Sequence, residues 1–491
     1  MTVLSKESHA QTESFSMRSL IGPIAAIVIG MIMVMLDDNI INVAIPTLVK
    51  DFHSTLPTIQ WTITIYTLSL SAVIPLAGWL SDKLGAKRLF LLILVLFTLA
   101  SVLCSTASSA GLLITYRVIQ GLVGGMILPV GFAFVFRLAP PNKVGSIMGM
   151  LGIPMLLAPA LAPMLSGWLV EYLSWHWIFL INLPLGIIGF VVGLIFLPRV
   201  DRKTTETIDV LGMFLGPAAF VFLSYALNEG GKIGWGALWT VLSLVIGIVV
   251  LLAFVVVEVR HRSPLVELKT FKSGNFARGV LALLISQFAL FGSIFLITQY
   301  LLDIRGFGEL QTGLILMPQA VAAGIFMAIG GRLFDKVGAR PLAITGFTII
   351  TIALFWISRN SIHTGILEII IPLILMGIGM GFSMMQLNTY VLQAAPREFV
   401  HRVTPLTSAG KQIMVSFAVS GLTGFLTSRT THYMQGGGNA VTHSTAAFSD
   451  TFLFAAAIAF IGLLLSFFIG QPKKDQEKEV SVNPERRNEP S

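Results

Sequence analysis

The sequence predicts an all-α integral membrane protein of fourteen transmembrane helices, built as two six-helix bundles plus two inserted helices. Three observations predict it. Hydrophobic residues make up 55% of the 491 positions and charged residues only 11%, with a mean hydropathy of +0.84. A soluble domain carries about 25% charged residues. Apolar runs of spanning length, roughly 20 residues each, recur along the whole chain, and the basic residues gather in alternate loops. Together these exclude a soluble enzyme, a secreted disulfide scaffold, a disordered protein and a membrane anchor with a large soluble domain.

After a short tail, 1–19, the first bundle (20–197) holds runs at 20–43, 57–80, 89–106, 111–136, 144–168 and 177–197. The first run is too long for a cleavable signal and lacks a small-residue cleavage site. The linker 198–274 carries the inserted runs 208–227 and 235–257 between basic loops. The second bundle (275–470) holds 277–302, 311–331, 341–357, 365–388, 403–428 and 449–470. The loop 429–448, with its "QGGGN", is expected to be flexible, and the charged tail 471–491 to be disordered. Of the 32 Lys and Arg, 25 fall in loops on the N-terminal side and five on the other. Positive loops stay inside, so both termini are expected in the cytoplasm. The net charge of +8 and pI near 9.6 then reflect topology rather than nucleic-acid binding.

Catalytic and cofactor chemistry find no support. Cys104 is the single cysteine, the eight histidines lie outside or at the ends of spans, and no pair has metal-ligand spacing. No phosphate-cradling G-x-x-x-x-G-K-[ST] segment occurs, so no ATP hydrolysis, enzyme activity, metal or cofactor is expected. An internal repeat is informative instead: "GWLSDKLGAKR" at 78–88 recurs as "GRLFDKVGARP" at 331–341, each after the second span of a bundle. Gly78 and Gly85 permit close helix approach and a tight turn. Asp82 sits among Lys83, Lys87 and Arg88, and ion pairs there could hold one conformation shut and release in another. Asp335 and Arg340 occupy matching places. The plainer reading is that bases at a helix end merely set topology.

The 78–88 turn resembles the G-x-L-[AS]-D-[KR]-x-G-[KR]-[KR] signature of the major facilitator superfamily. Three more segments resemble its 14-helix drug:proton antiporter branch: "LDDNIINVAIPTL" at 36–48, "RVIQGLVGGMILP" at 117–129, and "APALAPMLSGWLVEYLSWHWIFLINLPLG" at 158–186. In the last, Pro159, Pro163 and Gly167 keep the antiporter motif, while Ala158, Ala162 and Ser166 replace its usual glycines. Asp38 follows Asp37 where the branch has one acid, and His176 replaces an Arg. The resemblance implies a major facilitator fold and proton-driven efflux of small hydrophobic or cationic drugs from a bacterial cell, across the plasma membrane. The partners expected are drug-like molecules, protons and lipid, with no nucleic acid and a monomeric state. A dedicated exporter of one antibiotic, metabolite or metal–tetracycline complex, and a non-transporting sensor, stay open.

An ionisable residue inside a span costs about 2.5–3.5 kcal/mol and is a functional candidate by default. Asp37 lies roughly 9 Å below the outer end of the first span, and Arg117 roughly 9 Å below the outer start of the fourth, at 1.5 Å per residue. Matching depth makes them the expected proton-coupling pair, with Asp38 as a second carrier or a magnet for cations. A static Asp–Arg strut, and Asp38 as a mere interfacial residue, are the structural alternatives. Lys411, about eight residues into span 13, could repel cations, pair with an acid or snorkel to the cytoplasm, the last being favoured. Asn42, Trp61, Tyr66, Gln120, Gln287, Phe288, Phe291, Phe295, Gln299, Gln386 and Asn388 are candidates for lining a substrate cavity, although most such aromatics simply face lipid or neighbours.

Overall fold

Helix follows helix through the computed structural model, which describes residues 17–198, 210–261, 268–362, 364–396, 399–435 and 440–470, with no strand among them. The first half comprises α1 (Met17–Asp51), α2 (Leu56–Val73), α3 (Leu76–Leu84), α4 (Ala86–Ser105), α5 (Ala110–Gly124), α6 (Ile127–Leu138), α7 (Val144–Tyr172), α8 (Trp177–Leu180) and α9 (Asn182–Phe196). The insertion is α10 (Val210–Ile233) and α11 (Leu238–Arg260). The second half is α12 (Gly274–Gln299), extended by a π turn over Tyr300–Ile304, then α13 (Glu309–Val337), α14 (Ala339–Ser358), α15 (Ile366–Ala394), α16 (Val400–Met434) and α17 (Ala440–Ser466).

Ten described stretches are long and apolar enough to cross a bilayer, or eleven with α2 and α3 as one bent span. The order is consistent with fourteen crossings if α5–α6 and α8–α9 are also read as broken single spans. The breaks have local causes. Pro75 offers no N–H at the α2–α3 joint, where the axis turns by 57°. Gly125 and Met126 separate α5 from α6. At the repeated turn the two halves share a backbone device: Gly85 and Gly338 take φ values of 82° and 79°, a region open mainly to glycine.

The expected flexible loop 429–448 is corrected by the structure. Helix α16 runs on to Met434 and α17 starts at Ala440, leaving Gln435 and the undescribed 436–439 between them. Hydropathy stops at the polar Thr, His and Ser residues, but the helices continue, tied together where Arg429 pairs with Asp450 at 2.5 Å and Tyr433 donates to the same carboxylate at 2.9 Å. The tail 471–491 lies outside the described residues.

The inserted helices differ from each other. Helix α11 is the most apolar stretch and the least buried, as a lipid-facing helix should be. Helix α10 packs on both α2 and α16, one from each half. Phe220 joins Ile74 and Ala409 in an apolar cluster, Ser224 lies 3.5 Å from Ser71, and the Ser420 hydroxyl donates to the Leu227 carbonyl. The insertion therefore occupies the seam between the bundles.

Candidate functional site

Five helices of the first half converge on one carboxylate. Asp37 of α1 and Arg117 of α5 both have fully buried side chains and meet at 2.5 Å, Nη1 to Oδ2. Oδ1 of Asp37 accepts from Gln120 Nε2 at 2.8 Å and from Asn182 Nδ2, at the start of α9, at 3.0 Å. The Gln120 amide is oriented without ambiguity. Its oxygen accepts from Arg117 Nη1 at 2.8 Å and Cys104 Sγ at 3.4 Å, while its nitrogen also reaches Ser101 Oγ at 2.8 Å. Arg117 Nε donates to the Thr62 carbonyl at 3.2 Å, and the guanidinium carbon stands 3.7 Å from the Tyr66 ring centroid. Tyr66 thus acts under the cation rather than as a free cavity wall.

Of these partners, Asp37, Arg117, Gln120 and Tyr66 were legible as candidates. Asn182, Ser101, Thr62 and Cys104 were not. The signal for Asn182 was present in the "INLPLG" stretch, where one amide interrupts an apolar run. Asp38, one residue along and about 100° round the helix, is only partly buried. The side chains of Asn42, Pro159 and Pro163 lie outside the described residues; α7 continues through both prolines, and Gly167 faces open space.

Removing one partner of a buried ion pair strands the other charge and costs about 3–5 kcal/mol. Arg117→Ala should accordingly lower thermal stability in detergent steeply, and Asp37→Asn added to it should restore most of the loss. Equal instability of the single and double variants would show that packing, not charge, holds this site.

The second cluster closes the seam on the face that carries the basic loops. Asp82 reaches across the seam. Lys87 donates to the Leu194 carbonyl at 2.9 Å, Lys83 lies over the Trp79 ring, and Arg88 is exposed. Asp82 pairs with Arg402, at the start of α16 in the other half, at 3.5 Å. Its repeat counterpart Asp335, on α13, reaches the start of α7: Gly145 N donates to Oδ1 at 2.8 Å, Ser146 N to Oδ2 at 2.9 Å, and the Ser146 hydroxyl to the same oxygen. Arg340 is exposed. A carboxylate on the first N–H groups of a helix satisfies orphan donors and complements the dipole. Each half thus latches onto the first turn of a helix in the other.

Between these latches α7 and α13 touch backbone to backbone. A Cβ on Gly331 would lie 2.5 Å from the Gly145 carbonyl and 3.2 Å from the Gly149 Cα. Losing a helix cap costs about 0.5–2 kcal/mol. Asp335→Ala should therefore loosen the closed face, increasing labelling of a cysteine introduced at position 146 by several-fold; unchanged labelling would remove Asp335 from the latch.

The second half places its candidates differently from expectation. Phe288 is buried in its own bundle, 6.3 Å from the Phe417 ring, and Phe291 and Phe295 pack against the same core. Gln287 is buried, and Gln299 ends α12 and is partly buried; in the first half, Trp61 of α2 is exposed. Gln386 Nε2 donates to the Met327 carbonyl at 3.3 Å. Lys411 does not snorkel: its Nζ lies 3.2 Å from the buried Asn388 Oδ1 and 5.0 Å from the Phe132 ring of the first half. No group of metal-holding side chains occurs among the described residues.

The profile of the Major Facilitator Superfamily matches residues 27–419. The chain is 34% identical over 411 residues to a multidrug resistance protein B homolog of Mycobacterium tuberculosis, covering 82% of this chain and 76% of that one. It is 30% identical over 449 residues to the lincomycin resistance protein LmrB of Bacillus subtilis, covering 90% and 94%. In fold it is similar to the human organic anion transporter MFSD10 (TM-score 0.65, 13% identity, 91% of this chain and 99% of that one). The proton:xylose symporter XylE gives a TM-score of 0.58 at 14% identity, covering 92% and 96%. With two related bundles latched across one face and a profile match over most of its length, this multi-pass membrane chain belongs to the Major Facilitator Superfamily.

Proposed function

We propose that the chain exports small hydrophobic or cationic drugs across the bacterial plasma membrane in exchange for protons, by alternating access, with both termini in the cytoplasm. The observation that carries the coupling is the Asp37 carboxylate, buried within a span and accepting from Arg117, Gln120 and Asn182. A proton arriving from the outside neutralises it. A neutral carboxyl loses the charge that strengthens all three bonds, and its new O–H competes with the Arg117 N–H at one oxygen, so the links joining α1, α5 and α9 weaken. The guanidinium and the amides are then free to reorient as substrate leaves outward. Loss of the proton to the cytoplasm rebuilds the cluster.

The latches supply the two-state element. With Asp82–Arg402 and Asp335 on α7 made, the cytoplasmic face is shut; the inward-open state requires both to break. One proton moving down 100 mV delivers about 2.3 kcal/mol, comparable to the worth of one such cap. The names of the resistance relatives support drugs as cargo. The buried acid–base pair supports ion coupling.

Purified protein in liposomes loaded with a pH-sensitive dye tests this reading. Adding a transported cation such as ethidium should release protons in proportion to drug movement. Drug movement with no proton flux would overturn the coupling, and absence of any drug movement would overturn the export.

A further inference from the structure

The coupling scheme leaves Lys411 unused, and its surroundings are unlike those of a charge that only tolerates burial. It sits on α16, eleven residues from the helix start, facing the seam between the bundles. Its contacts are an amide oxygen and an aromatic face, both neutral; no carboxylate lies within ion-pair distance among the described residues. Ammonium has three N–H donors, and Asn388 Oδ1 takes one. At the other end of the same amide, Asn388 Nδ2 is buried with no acceptor. Ser408, three residues before Lys411 and therefore on the same face of α16, has a buried hydroxyl that is also without a partner.

The ammonium and the Asn388 amide thus meet at the seam, with Ser408 one turn away on α16 and Phe132 presenting its ring from the opposite half. Buried donors are costly when unmet, and a charge more so. The ammonium and the Asn388 amide nitrogen can only donate, and the Ser408 hydroxyl can donate as well as accept. A carboxylate or another singly charged acidic oxygen pair would answer all three, while its apolar body could rest against Phe132.

We propose that Lys411, Asn388 and Ser408 form an anion subsite that binds the acidic group of an amphipathic substrate between the two bundles. Under this proposal the cargo includes acid-bearing and zwitterionic compounds, and a purely cationic drug bypasses the subsite. It rests on the export reading for its physiological meaning but not for its test, because binding requires no proton gradient.

A matched pair of dyes isolates the acidic group: a rhodamine with a free carboxylate and its methyl ester. Equilibrium binding to the full chain in detergent is followed by fluorescence polarisation, and export is followed in cells. Charge-assisted hydrogen bonds imply that Lys411→Gln weakens the acid by about tenfold or more, with the ester held within about twofold. Lys411→Arg should keep the acid bound. Asn388→Asp, which supplies an internal carboxylate, should displace the acid as strongly as Lys411→Gln does while keeping the ester. Equal loss of both dyes in Asn388→Asp, an acid unaffected by Lys411→Gln, or wild-type protein that binds only the ester would each overturn the subsite. Wild-type protein that binds both dyes yet exports neither would leave the subsite standing and overturn the export reading instead.

Discussion

Replacing Asp37 by Asn should end drug-driven proton release, lower uphill export at least tenfold, and leave drug binding within about twofold. The amide keeps the shape and can still accept at its oxygen, so the bundle folds around it. What it lacks is a titratable proton and the charge that Arg117 answers. Neutralising the acid removes the 2.5 Å contact between two fully buried side chains as an ion pair. The stranded cation lowers stability, a loss eased by the Tyr66 ring at 3.7 Å and by the Thr62 carbonyl, both of which remain on the guanidinium. Proteoliposome flux with paired drug and pH readouts separates the cases. Undiminished coupled transport in Asp37→Asn would move the proton carrier elsewhere, with Asp38 next in line. Downhill drug equilibration that persists while proton flux disappears is the expected signature.

A comparable loss should follow from one methyl-bearing carbon far from that acid. In Gly331→Val the new Cβ meets the Gly145 carbonyl at 2.5 Å and the Gly149 Cα at 3.2 Å. Both obstacles are backbone, so no side chain can swing aside, and overpacking of this kind costs about 1–3 kcal/mol. The penalty falls only on the state in which α7 and α13 touch. Export should drop about tenfold, while cysteines placed on the latched face become more reactive from the cytoplasmic side. Gly313→Val on the same helix is the control. Nothing lies within 4 Å of its added Cβ, and it should transport normally. Equal behaviour of the two variants would mean that the α7–α13 contact is not made and broken during transport.

The candidate site was only half readable from the chain. Depth is written in the sequence, because a helix rises 1.5 Å per residue, and depth was enough to pair Asp37 with Arg117. Direction around each helix axis is not, so only the turn of α4 and α9 towards the acid brings Ser101 and Asn182 into its cluster. Asp82 shows the opposite failure. Three bases stand within six residues of it, and proximity along the chain suggested them as partners. The structure sends Lys87 to a carbonyl of α9 and gives Asp82 a guanidinium 320 positions away. The loop at 429–448 misled for a third reason: hydropathy marks where a helix leaves lipid, not where it stops being a helix.

Composition and pattern alone settled the solvent this chain folds in, the run of apolar helices and the repeated turn at 78–88 and 331–341. Those properties are local, since each follows from the transfer of a segment between water and hydrocarbon. Which buried charges meet, which helix the insertion wedges beside, and which face of the bundle is shut depend on how rods rotate and slide against one another. Lipid rewards every apolar orientation nearly alike, so only the few polar contacts and glycine crossings of the assembled bundle could fix them.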